Sequence, residues 1–127
     1  MGHKMKITKL VKILVWLMVC SFPMLSLAHT ALTQSTPENG ATVKAIPEHI
    51  DLVFNGPVRL IKLDLKAVDH VMPTSFEVQA DAVANYKIET LNMHAGQFTV
   101  EWAAIGADGH TVTNTFSFTV DLNATSE

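Results

Sequence analysis

Apolar and polar residues alternate along four stretches of the chain, and a period of two predicts β-strands. The stretches are HIDLVF (49–54), RLIKLDLKAV (59–68), QFTVEWAAI (97–105) and TVTNTFSFTV (111–120). Successive side chains of a strand point to opposite faces, so each stretch can bury one face against a second sheet. The side chains predicted to point inward are Ile50, Leu52, Phe54, Ile61, Leu63, Leu65, Ala67, Phe98, Val100, Trp102, Phe116, Phe118 and Val120.

Turn-forming residues separate these stretches, in TPENGA (36–41), NGP (55–57), HAGQ (94–97) and GADG (106–109). NYKIETL (85–91) is a candidate for a further strand, and no segment has a helical period long enough for more than a short turn. About seven short strands with regular turns indicate an all-β fold, an immunoglobulin-like Greek-key β-sandwich. Residues 29–127 show no repeat and no break in composition, which predicts one domain.

The first 28 residues have the three marks of a secretory signal peptide. Four lysines precede an apolar run, which ends at the small-x-small triplet Ser26-Leu27-Ala28. The uninterrupted apolar part is about ten residues, below the roughly 20 that cross a bilayer. We therefore expect export to the periplasm and cleavage after Ala28, so that His29 becomes the first residue. The alternatives are a retained membrane anchor and lipidation at Cys20, although Val19 is too bulky for the residue that precedes a lipidated cysteine.

Charge and cysteine content exclude several classes of function. Residues 29–127 hold five basic and twelve acidic residues, a net charge of −7, which argues against nucleic-acid binding. They hold no cysteine, which excludes thiol catalysis, zinc-thiolate sites and blue-copper sites. No nucleophile elbow, HExxH or phosphate-binding loop is present. The side chains left to carry chemistry are the histidines His29, His49, His70, His94 and His110.

Two of these histidines suggest a metal site. Asp108 and His110 are two residues apart after a glycine-rich turn, so on extended backbone their side chains face the same way. Taken alone, this pair is more simply a turn-capping aspartate beside an exposed histidine. With the free amine and imidazole of a processed His29, it makes a nitrogen-rich set of four donors. Cu(II) prefers such a tetragonal set and leads the affinity order of the divalent metals.

The processed chain resembles the CopC family of periplasmic copper-binding proteins. Its start, HTALTQSTPENGATVKAIPEHIDLVFNGPV, is similar to the family's N-terminal histidine, S-x-P-x-x-G turn and strand ending in phenylalanine. QFTVEWAAIGADGHTVTNTFSFTV resembles the family's V-x-W block followed by D-x-H and F-x-V. The resemblance implies a β-sandwich with Cu(II) bound by His29, Asp108 and His110. It also implies copper handling beside an inner-membrane, CopD-like transport protein, and we expect a monomer.

The chain departs from the family pattern at three places. Asn114 replaces the glycine after D-x-H, and asparagine tolerates left-handed backbone, so we expect the turn to be kept. Gly56 stands where some members carry a glutamate near copper, so no ligand is expected there. The loop VDHVMPTSF (68–76) keeps only His70 and Met72 of the family's Cu(I) loop. We expect His70, Met72 and His94 to be loop residues without metal, and a second Cu(I) site stays open.

Two other classes of function are considered beside the copper carrier. Lytic polysaccharide oxygenases also use an N-terminal histidine and copper, but they are larger and present a flat aromatic surface. Here, most aromatic residues fall at predicted core positions, and an aspartate ligand would occupy a position that oxygen needs. The other alternative is a metal-free interaction module, since immunoglobulin-like sandwiches serve many roles.

Overall fold

The computed structural model describes residues 29–124, and these form seven β-strands and no helix. The predicted signal peptide and its cleavage site lie outside the described residues, so both stay predictions. In the part of the chain that is described, no helix is long and apolar enough to cross a membrane. The strands are β1 (Leu32–Thr36), β2 (Thr42–Val43), β3 (His49–Lys66), β4 (Val71–Met72), β5 (Val83–Glu89), β6 (Gly96–Ile105) and β7 (Thr111–Val120).

The long strand β3 belongs to both layers of a β-sandwich. Its first half pairs antiparallel with β1 and β5. Its second half pairs antiparallel with β4 and β6, β6 pairs with β7, and the short β2 runs parallel to β7. Across the core, the Phe54 ring meets the edge of Trp102, with centroids 5.2 Å apart. The predicted β-sandwich is confirmed.

The prediction of a turn at residues 55–57 is wrong, because β3 runs through them. Its pairing with β5 shifts register between Val53 and Val58, and there the strand bends from one sheet into the other. Tyr86 of β5 secures the bend: its hydroxyl donates to the Val58 carbonyl at 2.6 Å and accepts from the Leu60 N–H at 3.1 Å. Glycine and proline therefore mark a change of sheet here and do not end the strand.

The expected inward face of the second half of β3 needs one correction. Leu60 is buried, whereas the predicted Ile61 is only half-buried. The pairing with β6 shifts register between Leu60 and Lys62, and such a bulge inserts one residue and resets the alternation. From Leu63 onward the predicted pattern is confirmed. The other predicted inward residues are buried as well, apart from Ala67, which packs against the core from its edge.

The turn expected at Asn114 is also absent. Asn114 lies inside β7 opposite Trp102, with ordinary strand pairing. Among the described residues, the non-glycine position with positive φ is Asn92. In the loop before β7, Gly109 supplies the left-handed conformation with a φ of 82°. The β6–β7 loop thus completes its turn before the strand begins, and Asn114 has no turn to make.

Candidate metal centre

Residues 29–31 are held against the bend of β3 by the side chain of Asn55. Its Nδ2 donates to the His29 carbonyl at 2.6 Å, and its Oδ1 accepts from the Ala31 N–H at 3.1 Å. The Asn55 backbone N–H also donates to the Ala31 carbonyl at 3.0 Å. An amide side chain both donates and accepts, so this one residue satisfies both of those backbone groups. Asn55 therefore fixes where the segment before β1 lies.

The β6–β7 loop is closed by its own hydrogen bonds and carries two of the predicted ligands. The Gly106 N–H donates to the His110 carbonyl at 3.0 Å, and the Gly109 N–H donates to the Gly106 carbonyl at 3.0 Å. Asp108 caps the turn, because its Oδ1 accepts from the His110 N–H at 3.0 Å. Its Oδ2 lies 3.4 Å from Nδ1 of His110. The carboxylate and the imidazole thus point to one place.

The N-terminal segment and the β6–β7 loop touch each other at Gly106. A Cβ atom placed on Gly106 would lie 1.8 Å from Oγ1 of Thr30 and 3.1 Å from its Cβ, so only glycine fits without a shift. Beside this contact, His29 and Asp108 line one small cavity of about 100 Å³, with Asn55 and Gly56 on its wall. The fold therefore brings together two segments that are far apart in the sequence.

The three predicted ligands are neighbours, but they do not form a closed cluster. Within residues 29–124, no three His, Cys, Asp or Glu side chains are arranged to hold a metal ion. The His110 side chain is 84% exposed, and that of Asp108 is 45% exposed. In the unprocessed chain, the His29 nitrogen belongs to a peptide bond with Ala28 and is not an amine. The assignment of His29, Asp108 and His110 as ligands stays a prediction.

A larger open groove of about 480 Å³ runs between β1 and β7. It includes Thr30 and reaches the edge of Trp102, but it contains none of the three predicted ligands. Its lining also lacks histidine, so it offers no imidazole donor. For metal chemistry, the smaller cavity beside Asp108 is the relevant one.

Residues 32–121 match the model of the CopC domain family. The chain belongs to the CopC family. It is 28% identical over 116 residues to the copper transport protein CutJ of Bacillus subtilis strain 168, in an alignment that covers 85% of this chain and 21% of CutJ. The chain thus spans about a fifth of the length of that relative. The resemblance stated from the sequence is confirmed.

Two solved structures of CopC proteins share the fold. CopC from Methylosinus trichosporium OB3b superposes with a TM-score of 0.62 at 23% identity, covering 78% of this chain and all of that one. PcoC, a methionine-rich copper resistance protein from Escherichia coli, gives a TM-score of 0.61 at 27% identity, covering 74% of this chain and all of that one. The sandwich is therefore the fold of this family.

Proposed function

We propose that this CopC chain, once cleaved after Ala28, binds Cu(II) in the periplasm and sequesters or delivers it. The observation that carries the proposal is the shared cavity of His29 and Asp108, with Nδ1 of His110 3.4 Å from Oδ2 of the same carboxylate. The donors are the amine and Nδ1 of His29, a carboxylate oxygen of Asp108 and a ring nitrogen of His110. Three nitrogens and one oxygen suit the tetragonal geometry of Cu(II).

The names of its relatives support a role in copper handling. CutJ is described as a copper transport protein and PcoC as a copper resistance protein. The proposal also includes an inner-membrane, CopD-like partner and a monomeric state. A cavity lined by Asp108 in a processed chain of net charge −7 favours a cation over an anion as the cargo.

The proposed chain acts as a carrier and performs no chemistry on copper. The aromatic side chains that an oxygenase would present to a polysaccharide lie mainly in the core, namely Phe54, Phe98, Trp102, Phe116 and Phe118. The Tyr86 hydroxyl is engaged at the bend of β3. These side chains therefore do not form the flat, exposed aromatic surface that such an oxygenase uses.

A Cu(II) titration of the chain beginning at His29 tests the proposal. Every strand and every buried core residue that the structure describes lies after His29, so this chain keeps them all. We expect one tightly bound ion per chain with a tetragonal, nitrogen-rich electron paramagnetic resonance spectrum. Binding should weaken as the pH falls, because the amine and imidazoles must lose protons to bind the metal. Absence of binding at neutral pH would refute the proposal.

Replacing Gly106 with alanine should weaken Cu(II) binding by about 10-fold, the lower end of the range for disturbing groups that orient metal ligands. The new Cβ would displace Thr30, and the adjacent His29 would move away from Asp108 with it. The measurement is the dissociation constant for Cu(II) of the chain beginning at His29.

Two companion variants separate this effect from a general disturbance. Ala80→Ser is the control, because it makes an equally small change at an exposed position outside the strands and away from the cavity, and it should leave affinity unchanged. Thr30→Ala removes the colliding hydroxyl, so the double variant Thr30→Ala/Gly106→Ala should recover affinity. If the double variant binds as weakly as Gly106→Ala, the contact with Thr30 does not position His29.

A further inference from the structure

His70 and His94 meet at the opposite end of β6 from the cavity. His70 lies between β3 and β4, and His94 lies between β5 and β6. Their ring centroids are 5.7 Å apart, with 35° between the ring planes. An antiparallel sheet places the end of one strand beside the start of its partner, and Lys66 pairs with Thr99 near these loops. Two histidines from separate loops, expected to be loop residues without metal, thus become neighbours.

The hydrogen bonds of both rings fix which nitrogen is free. Nδ1 of His70 lies 2.6 Å from Oδ1 of Asp69, and Nδ1 of His94 lies 2.7 Å from the carbonyl oxygen of Ala95. An ionised carboxylate and a carbonyl can only accept, so each Nδ1 must carry the proton. Each neutral ring therefore has a free lone pair on Nε2.

This arrangement is the one that metal-binding histidines use. A histidine ligand almost always donates its second ring N–H to a carboxylate or a backbone carbonyl, which sets the tautomer and the orientation. Here His70 donates to a carboxylate and His94 donates to a carbonyl. His94 is further held by packing on Phe98, at 5.3 Å between centroids, and Phe98 is buried in the core. Both rings are thus oriented before any ion arrives.

The distance between the rings fits one shared ion. Metal–nitrogen bonds of about 2.0–2.1 Å place the centroids of two imidazoles on one ion within roughly 6.5 Å of each other. The observed 5.7 Å lies inside this limit. The nearby thioethers of Met72 and Met93 pack in the core, so the groups offered to solvent are imidazole nitrogens. Imidazole suits divalent zinc, copper and nickel, whereas thioethers select Cu(I).

We propose that His70 and His94 form a second metal site, in which the two Nε2 atoms bind one divalent first-row cation and Asp69 orients His70. Water completes the coordination, because among the described residues no third histidine, cysteine, aspartate or glutamate is placed to bind the same ion. The ten residues of β6 separate this site from the first by about 30 Å at 3.3 Å per residue. The two sites are therefore independent, and the second does not rest on the proposed copper function.

Zinc alone is the probe, since it is diamagnetic and suits nuclear magnetic resonance of the histidine ring nitrogens. In the chain beginning at His29, Zn²⁺ should shift the Nε2 resonances of both His70 and His94 together. His70→Gln and His94→Gln should each abolish the shift at the remaining ring. Asp69→Ala, which leaves no acceptor for Nδ1–H of His70, should weaken this binding by about 10-fold, as the loss of an orienting partner does. His110→Gln is the matched control, because it removes a histidine that lies beyond the opposite end of β6 from the pair.

The outcomes separate this site from the first. Joint shifts at His70 and His94 in a His110→Ala chain support the second site by itself. The shared site is refuted if Zn²⁺ shifts the Nε2 resonance of neither ring. It is also refuted if Zn²⁺ still shifts the resonance of one histidine after the other has been replaced. A zinc response that disappears together with Cu(II) binding in His110→Ala would refute a separate second site.

Discussion

One alanine added before His29 should weaken Cu(II) binding by more than about 100-fold, beyond the cost of losing one orienting partner. The addition leaves every side chain in place but turns the amine of His29 into a peptide nitrogen. The six-membered chelate ring, formed by the metal, the amine nitrogen, three carbons and Nδ1, is then lost, and one of the four donors leaves the site. Since the His29 carbonyl stays bonded to Asn55, the imidazole remains where it was. The affinity change therefore reports the amine.

The measurement is a Cu(II) titration with electron paramagnetic resonance on two chains, one beginning at His29 and one with the added alanine. A matched control begins at His29 and carries its extra alanine after Ala80, an exposed position outside the strands. The control should bind as the first chain does and show the same nitrogen-rich spectrum. Equal binding by all three chains would contradict the prediction, because the site would then not depend on the amine of His29.

The strands could be predicted because each is recorded locally, in alternation over a few residues. Phe116, Phe118 and Val120 are buried as the pattern required, because a period of two directs them to one face. Residues 55–57 were misinterpreted because Gly56 and Pro57 favour turns locally, whereas tertiary pairing on both sides of them continues β3. The local sequence pattern reflects the conformational preferences of the residues, and it does not show with which sheet a strand pairs.

In the candidate site, too, the local features could be predicted from the sequence and the long-range contacts could not. The pairing of Asp108 with His110 follows from a spacing of two residues and a turn, which the sequence shows directly. The bonds of Asn55 to the segment at His29, and the fit of Gly106 against Thr30, join residues far apart in the chain. No residue pattern records such contacts, so neither was predicted. The meeting of His70 and His94 was missed for the same reason.

Replacing His110 with alanine should weaken Cu(II) binding by more than about 100-fold, because an ion ligand is lost and not merely its orienting partner. The fold should be unaffected. The His110 side chain is 84% exposed, and exposed substitutions usually change the free energy of unfolding by no more than about 0.5 kcal/mol. The backbone bonds that close the loop, from Gly106 N–H to the His110 carbonyl and from His110 N–H to Asp108, survive the change. Loss of binding would thus be a loss of the imidazole alone.

Asp108 cannot be tested as cleanly, because its carboxylate has two roles. Oδ1 caps the turn through the His110 N–H, so Asp108→Ala removes a candidate ligand and loosens the loop together. Asp108→Asn keeps an acceptor for the cap while removing the negative charge, and comparison with His110→Ala separates the two roles. His49→Ala is the control, since it removes an imidazole from β3 and should leave Cu(II) affinity and thermal stability unchanged. Unchanged Cu(II) affinity in His110→Ala would overturn the ligand assignment, because the remaining donors would then suffice without the β6–β7 loop.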